Sequence, residues 1–364
     1  MGKPLRVGII GIGTISGQYL ATIDSLAELE LVAVSDLDPE RARSAAVARP
    51  GVDALSTAAL LERGDIDVVL NLSTPAEHAG IALSAIAQGR GVYGEKPLAT
   101  NTLDGRRILE AAQNAGVVVG CAPDTVLGTG IQTARRAIDD GLIGAPIAAS
   151  ATMVTPGHER WHPAPDFYYQ PGGGPLLDMG PYYLSALVTL LGPVASVTGM
   201  TSRTRDTRMI AQGDRAGEVM PVTIDSHVTA LLRHESGAVS TLIVTFDAVG
   251  SRSANIEVHG ETGTLAVPDP NHFMGEVNLL SLGQTEWTTL EVSGGYLDGG
   301  RGIGLVDLAR TPVGKEPRAG GLLAFHVLDV MESVLRSAEQ GVTIEVVSTV
   351  ARPDPVPLTT LERR

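Results

Sequence analysis

Cysteine is nearly absent from the sequence: Cys121 is the only one in 364 residues. No disulfide can form within one chain, and no cysteine-based metal centre can be assembled. Aromatic residues are scarce too, with four Phe, two Trp and seven Tyr. Basic residues are outnumbered, 27 Lys and Arg against 41 Asp and Glu, for a formal charge of −14. Nucleic acid and anionic membrane surfaces both reward basic patches, so neither is expected as a partner. No apolar run approaches the roughly 20 residues that cross a bilayer. The opening "MGKPLRVGII" leads straight into a strand-like run without a charged leader and apolar targeting segment, so the cytoplasm is the expected compartment. No segment repeats at a period of about 20–50 residues, and none is of low complexity.

Glycine, at 43 residues, is abundant, and a chain of this length predicts two domains rather than one core. From residue 5 to about 121, β-branched runs alternate with helical segments. "LRVGII", "LELVAVS", "DVVLNL", "GVYGE" and "GVVVGC" read as buried parallel strands. The segments between them have helical spacing, and several end at glycine. Such alternation predicts a parallel sheet wrapped by helices, an α/β fold. The boundary is expected after residue 123, with a dinucleotide-binding domain over 1–123 and a second domain over 124–364.

The first strand runs into Gly11-Ile-Gly13-Thr14-Ile15-Ser16. Here Gly11 and Gly13 supply a tight turn and bare backbone where a pyrophosphate can meet a helix N-terminus, and Ser16 is small enough for close helix–sheet packing. The second strand ends at Asp36, where a carboxylate accepts the ribose hydroxyls and repels a 2′-phosphate. NAD is therefore the expected cofactor. Asp38-Pro39-Glu40 reads instead as a helix cap with proline at the first helical position. Arg41 and Arg43 are the residues that could oppose this choice by holding a phosphate. Two further stretches fall at carboxyl ends of strands, where open α/β sheets bind ligands. They contribute Ser73, Thr74, Pro75 and His78 from "NLSTPAEH", and Glu95 and Lys96 from "GEKPLAT".

Taken in this order, "GIIGIGTISG", "NLSTPAEH", "GEKPLAT" and "GGGPLLDMGPYYLSAL" resemble the Gfo/Idh/MocA oxidoreductases over nearly the whole chain. The resemblance implies a C-terminal α/β domain with a large open, mainly antiparallel sheet used to form dimers or tetramers. The strand-like runs between 222 and 268, a long helix over 320–341 and a proline-rich extended tail accord with it. It also implies that Lys96 lies beside the nicotinamide and the substrate hydroxyl. Many members carry Asp-x-Gly-x-His, the histidine acting as acid/base; this chain has Asp178-Met-Gly180-Pro-Tyr182. That departure resembles the branch in which tyrosine takes the position. Tyr182 is accordingly expected to move the proton, beside Asp178 and with Lys96 favouring phenolate, and Tyr183 to pack. Asp124 stands where members touch nicotinamide or substrate, although "CAPDTVLG" does not match their usual residues.

His158-Glu-Arg-Trp-His162 matches the H-E-x-x-H zinc pattern, which requires a helix. Strand-like "IAASATMV" and "TPG" precede it and "PAP" follows, leaving no room for one, so no metal is expected. The stretch reads instead as a substrate loop offering His158, Arg160, Trp161 and His162, with Arg160 suited to an anionic sugar. The expected activity is NAD-dependent hydride transfer at a ring hydroxyl carbon of a sugar, glycoside or polyol. The alternatives are a redox glycoside hydrolase, which oxidises, eliminates, adds water and reduces, and a non-catalytic NAD-binding sensor.

Overall fold

A computed structural model of the chain describes residues 3–312 and 314–364. It divides into two compact units, and the division is not a single cut. The first comprises 1–128, 295–328 and 356–364; the second comprises 129–294 and 329–355.

The first unit begins β1 (Leu5–Ile10), α1 (Ser16–Ser25), β2 (Leu29–Ser35), α2 (Pro39–Val47), β3 (Asp53–Ala54) and α3 (Thr57–Glu62). It continues β4 (Val68–Asn71), α4 (His78–Ala87), β5 (Gly91–Gly94), α5 (Thr102–Ala115) and β6 (Val119–Cys121). All six strands pair in parallel in the order β3-β2-β1-β4-β5-β6, the classical order of a Rossmann sheet. The expected strands and helices are present within a few residues. Among these elements, β3 and α3 were not legible, being too short to carry a period. Asp38 caps α2 by accepting the Glu40 amide at 3.0 Å, with Pro39 at the first helical position. The distal segment brings α8 (Ile303–Arg310) and the chain end, where Arg364 N donates to Ser25 O at 2.9 Å. The proline-rich tail is thus extended, and its last residues are part of the first unit.

The second unit holds α6 (Thr129–Asp139), β7 (Pro146–Val154), α7 (Pro175–Leu191), β8 (Val194–Ser202), β9 (Thr207–Met209) and β10 (Val219–Pro221). It goes on with β11 (His227–His234), β12 (Val239–Thr245), β13 (Ile256–Gly260), β14 (Gly263–Val267), β15 (Asn278–Ser281) and β16 (Thr288–Thr289). Then come α8 (Ile303–Arg310) of the first unit, α9 (Gly321–Gln340) and β17 (Ile344–Glu345). Nine strands form one sheet in the order β16-β15-β14-β13-β7-β12-β11-β8-β17. Every neighbouring pair is antiparallel except β7 with β12. Alternation along β11 and β12 sends Val228, Ala230, Leu232, Leu242 and Val244 to the buried face, the period of a sheet covered on one side. The hydrophobic helix α7 packs there.

Candidate functional site

Gly11 sits at φ +103°, and a Cβ on it would lie 2.6 Å from the Leu72 carbonyl. Only glycine fits this turn. At Gly13 the same Cβ would meet nothing within 4 Å, so its backbone faces open space. Ile15, at the start of α1, makes no side-chain cap, and the first turn of the helix carries no acidic residue. Uncapped amides with positive dipole character suit an anion such as pyrophosphate. Thr14 completes this exposed turn. Asp36 leans back onto the loop: Oδ2 accepts the Ile12 amide at 2.6 Å and Oδ1 that of Asp38 at 2.8 Å. Beside it, Ile12, Leu20, Arg41 and Ser44 line a cleft of about 470 Å³. Arg41 pairs with Asp38 at 3.6 Å and Arg43 with Glu40, so both cations already answer carboxylates of their own segment.

The loops after β4 and β5 are braced by side chains that the sequence reading missed. Asn71, buried, accepts from Ser73 Oγ at 2.6 Å and donates to the His78 carbonyl at 3.2 Å. Tyr19, fully buried in α1, donates to Glu95 Oε1 at 2.7 Å, while Glu95 Oε2 accepts the Lys96 amide at 2.9 Å. Their signal was burial within the fold, which no local pattern reveals. Thr74 and Pro75 open the short 3₁₀ turn Pro75–Glu77. Lys96 is half-buried, and the Lys96–Pro97 peptide is cis.

Two expectations for this unit are corrected. His78, expected among the cofactor contacts, is buried with both ring nitrogens against carbonyl oxygens, Pro97 at 2.6 Å and Ser73 at 3.1 Å. It ties the two loops together and keeps no polar atom for a ligand. Asp124, expected at the substrate, has no exposed surface; its Oδ2 accepts the amides of Gly302 and Gly304 at 2.8 and 3.1 Å. It holds the N-terminus of α8, satisfying amides a helix start leaves orphaned. Burial pushes its pKa up to about 6, against the pull of those amides, and Oδ1 is buried without a partner.

In the second unit, the His-Glu-Arg-Trp-His run forms a single 3₁₀ turn, His158–Arg160. Glu159 is no zinc-site base: it is buried against Arg208 Nη1 at 2.8 Å and accepts the Tyr169 hydroxyl. Arg208 also binds Asp247 and the carbonyls of Phe246 and Pro156 at 2.9 and 3.1 Å. This ionic cluster anchors the loop from beneath. His158 Nε2 lies 3.0 Å from Asp178 Oδ2 in the first turn of α7, and Trp161 Nε1 donates to His158 Nδ1 at 3.3 Å. Arg160 is exposed. His162 accepts the Ala164 amide through Nδ1 at 3.1 Å, and its burial lowers its pKa. Tyr182 is 5% exposed. Tyr183 accepts from Asn255 at 2.9 Å and reaches Asp269 at 3.4 Å, and burial raises its pKa.

A Rossmann sheet in classical order, with an uncapped glycine turn and a carboxylate at the end of β2, defines a dinucleotide-binding protein. The family described as "Oxidoreductase family, NAD-binding Rossmann fold" matches residues 5–122, and "GFO/IDH/MocA C-terminal domain" matches residues 131–266. Inositol 2-dehydrogenase 3 of Saccharopolyspora erythraea is 30% identical over 270 residues, 73% of this chain and 74% of its own. D-apiose dehydrogenase of Paraburkholderia graminis is 26% identical, covering 96% of this chain and 92% of its own. An NAD-binding oxidoreductase from Klebsiella pneumoniae superposes with a TM-score of 0.80 at 26% identity, covering 95% of this chain and 100% of its own. The chain belongs to the Gfo/Idh/MocA oxidoreductase family: it is an enzyme, and NAD is its cofactor.

Proposed function

We propose that this enzyme transfers hydride between NAD and a ring hydroxyl carbon of a sugar, glycoside or polyol. The observation that carries this reading is the Asp36–Gly11–Gly13 cradle on the open end of the parallel sheet. It fits NAD at three points: the uncapped amides of α1 for the pyrophosphate, the open backbone at Gly13 for close approach, and the Asp36 carboxylate for the ribose diol. The substrate class is supported by relatives named for inositol and D-apiose, both small polyhydroxylated compounds.

NAD, when bound, supplies the acceptor for the hydride. The protein has to bind the polyol, orient one carbinol and remove its hydroxyl proton. Lys96, Tyr182 and Asp178 are assigned to the reacting hydroxyl, and Arg160, Trp161 and His162 to the rest of the substrate. Tyr182 receives the hydroxyl proton. Lys96 donates a hydrogen bond to the oxygen from which it leaves, and Tyr183, held by Asn255 and Asp269, keeps the helix seated.

The test is a panel of myo-inositol, D-apiose and simple glycosides with NAD⁺, following NADH absorbance and product together. Accumulating NADH and a ketone is the expected outcome; glycoside cleavage without net NADH would point to the redox hydrolase, and no turnover to a binding protein. With an active substrate in hand, Tyr182→Phe should lose about 10²–10⁴-fold in kcat, with NAD binding intact. Lys96→Met should lose at least as much, and Tyr183→Phe far less. A near-full rate for Tyr182→Phe would overturn its assignment.

A further inference from the structure

Arginine supplies most of the cations in this chain; the only lysines are Lys3, Lys96 and Lys315. Lys3 and Lys315 are exposed, whereas Lys96 is half-buried just after β5. A lysine carries its ammonium on a flexible four-carbon stem. Where that ammonium rests is set first by the backbone from which the stem starts.

The backbone at Lys96 is tied on both sides. Ahead of the side chain, the Lys96 amide donates to Glu95 Oε2 at 2.9 Å, and the Glu95 amide donates to the Asn71 carbonyl at 2.9 Å. Behind it, the Pro97 carbonyl lies 2.6 Å from His78 Nδ1. The weak point is Glu95, a half-buried carboxylate on a rotatable stem. It holds the next amide only while it stays turned back on the chain.

Tyr19 keeps it turned. The Tyr19 hydroxyl donates to Glu95 Oε1 at 2.7 Å, a charge-assisted bond from a residue with no exposed surface. Burial first, and the charge of Glu95 after it, raise the Tyr19 pKa well above the usual tyrosine value, so the hydroxyl remains a donor. The ring is held as well. Gly302 lies so close that a Cβ there would stand 3.2 Å from Tyr19 Cδ1, and the Gly302 amide is bound by Asp124 at 2.8 Å. Tyr19 belongs to α1, the helix whose uncapped first turn suits a pyrophosphate.

We propose that Tyr19 is a positioning residue for Lys96: acting through Glu95, it fixes the backbone that presents the ammonium and ties that backbone to the cofactor helix. Without the Tyr19 hydroxyl, Glu95 Oε1 loses its donor, the carboxylate is free to turn to solvent, and the Lys96 amide loses its acceptor. The inference rests on the assignment of Lys96 to the reacting hydroxyl.

Tyr19→Phe removes the hydroxyl and keeps the ring against Gly302. Tyr93→Phe is the control, because the Tyr93 hydroxyl is also buried, in the strand leading to Glu95, and has no hydrogen-bond partner. Carbon NMR of isotope-labelled lysine in the full chain without ligand reads the first link independently of any substrate, with Lys96→Met identifying the signal. Tyr19→Phe should move the Lys96 ε-carbon signal and leave those of Lys3 and Lys315 in place, and Tyr93→Phe should move none. An unmoved Lys96 signal in Tyr19→Phe, or the same movement in Tyr93→Phe, would overturn the inference. Kinetics with myo-inositol or D-apiose test the consequence. The kcat of Tyr19→Phe should fall about 10- to 100-fold, the scale of a misplaced reacting group, while its calorimetric affinity for NAD matches the parent. Parent-like kcat, or a loss confined to NAD affinity, would count against a role at Lys96. If the unmodified protein turns over neither polyol, the dehydrogenase reading fails, and the lysine signals still decide whether Tyr19 holds Lys96.

Discussion

Asp36 accepts the amides of Ile12 and Asp38, one on each oxygen, and each oxygen keeps a lone pair for a ribose hydroxyl. A 2′-phosphate there would meet a carboxylate already fixed in place, and the nearby Arg41 and Arg43 are paired with acids. Replacing Asp36 with Ala should weaken NAD by about ten- to a hundredfold, since hydrogen bonds to charged groups contribute about 1.5–3 kcal/mol. NADP should lose far less, so the gap between them narrows in a calorimetric titration. Tighter binding of NADP than NAD by the unmodified protein would contradict the idea. Asp124 acts on stability instead. Its folded pKa is about 6, against about 3.9 unfolded, so between these values the folded state binds the extra proton. Stability from this group is therefore present at low pH and is lost as pH rises through that window, by about 2–3 kcal/mol. Asp124→Asn can still accept the Gly302 and Gly304 amides and has nothing to ionise. Urea melts from about pH 4 to pH 7 should show the variant gaining on the parent by that amount; parallel curves would rule the mechanism out.

The loop from Gly157 to Tyr169 takes its shape from an element far along the chain. Arg208, in β9, is 1% exposed in its side chain and spans Glu159 and Asp247. Arg208→Met should destabilise the second unit by about 3–5 kcal/mol, because two buried carboxylates lose their cation. Joint replacement by Met at 208, Gln at 159 and Asn at 247 should recover much of that loss, as neutral groups carry no such penalty. A single variant that melts with the parent would count against the cluster as an anchor. Local elements were largely legible beforehand. The parallel strands announced themselves as apolar runs, α5 by its 3.6-residue period and its glycine C-cap at Gly116, and α2 by its Asp38–Pro39 cap. Elements too short to show a period, β3, β9 and β10, were not. The partners of the site residues were the least legible. Arg208, Asn71 and Tyr19 act across sequence separations of 49, 7 and 76 residues, and no window spans the longer two.

The nine-stranded sheet keeps one face for α7 and turns the other outward. On the outward face, Met200, Leu231 and Val239 are 76, 52 and 37% exposed, and Leu231 lies opposite Thr198 and Thr241. Apolar side chains spread across adjacent strands of an uncovered sheet make a surface for a second copy. We expect a dimer or tetramer assembled through this face. Leu231→Arg with Met200→Glu should shift it toward monomer in light scattering, with the melt of each unit little changed. A monomer at micromolar concentration for the unmodified protein would refute it. No helix among the described residues is long and apolar enough to cross a membrane.

By itself the sequence determined the class of fold, the cofactor and the family. Those depend on contiguous patterns: a glycine turn between a strand and a helix, a carboxylate at the next strand end, and runs whose period reports burial. Tertiary structure alone decided what the charged and aromatic side chains do. It turned Asp124 from a substrate contact into the clamp of α8, made His78 a brace between two loops, and set His158 between Asp178 and Trp161. Hydrogen bonds act over about 3 Å, so a role that rests on one is settled only when folding brings distant residues to that distance.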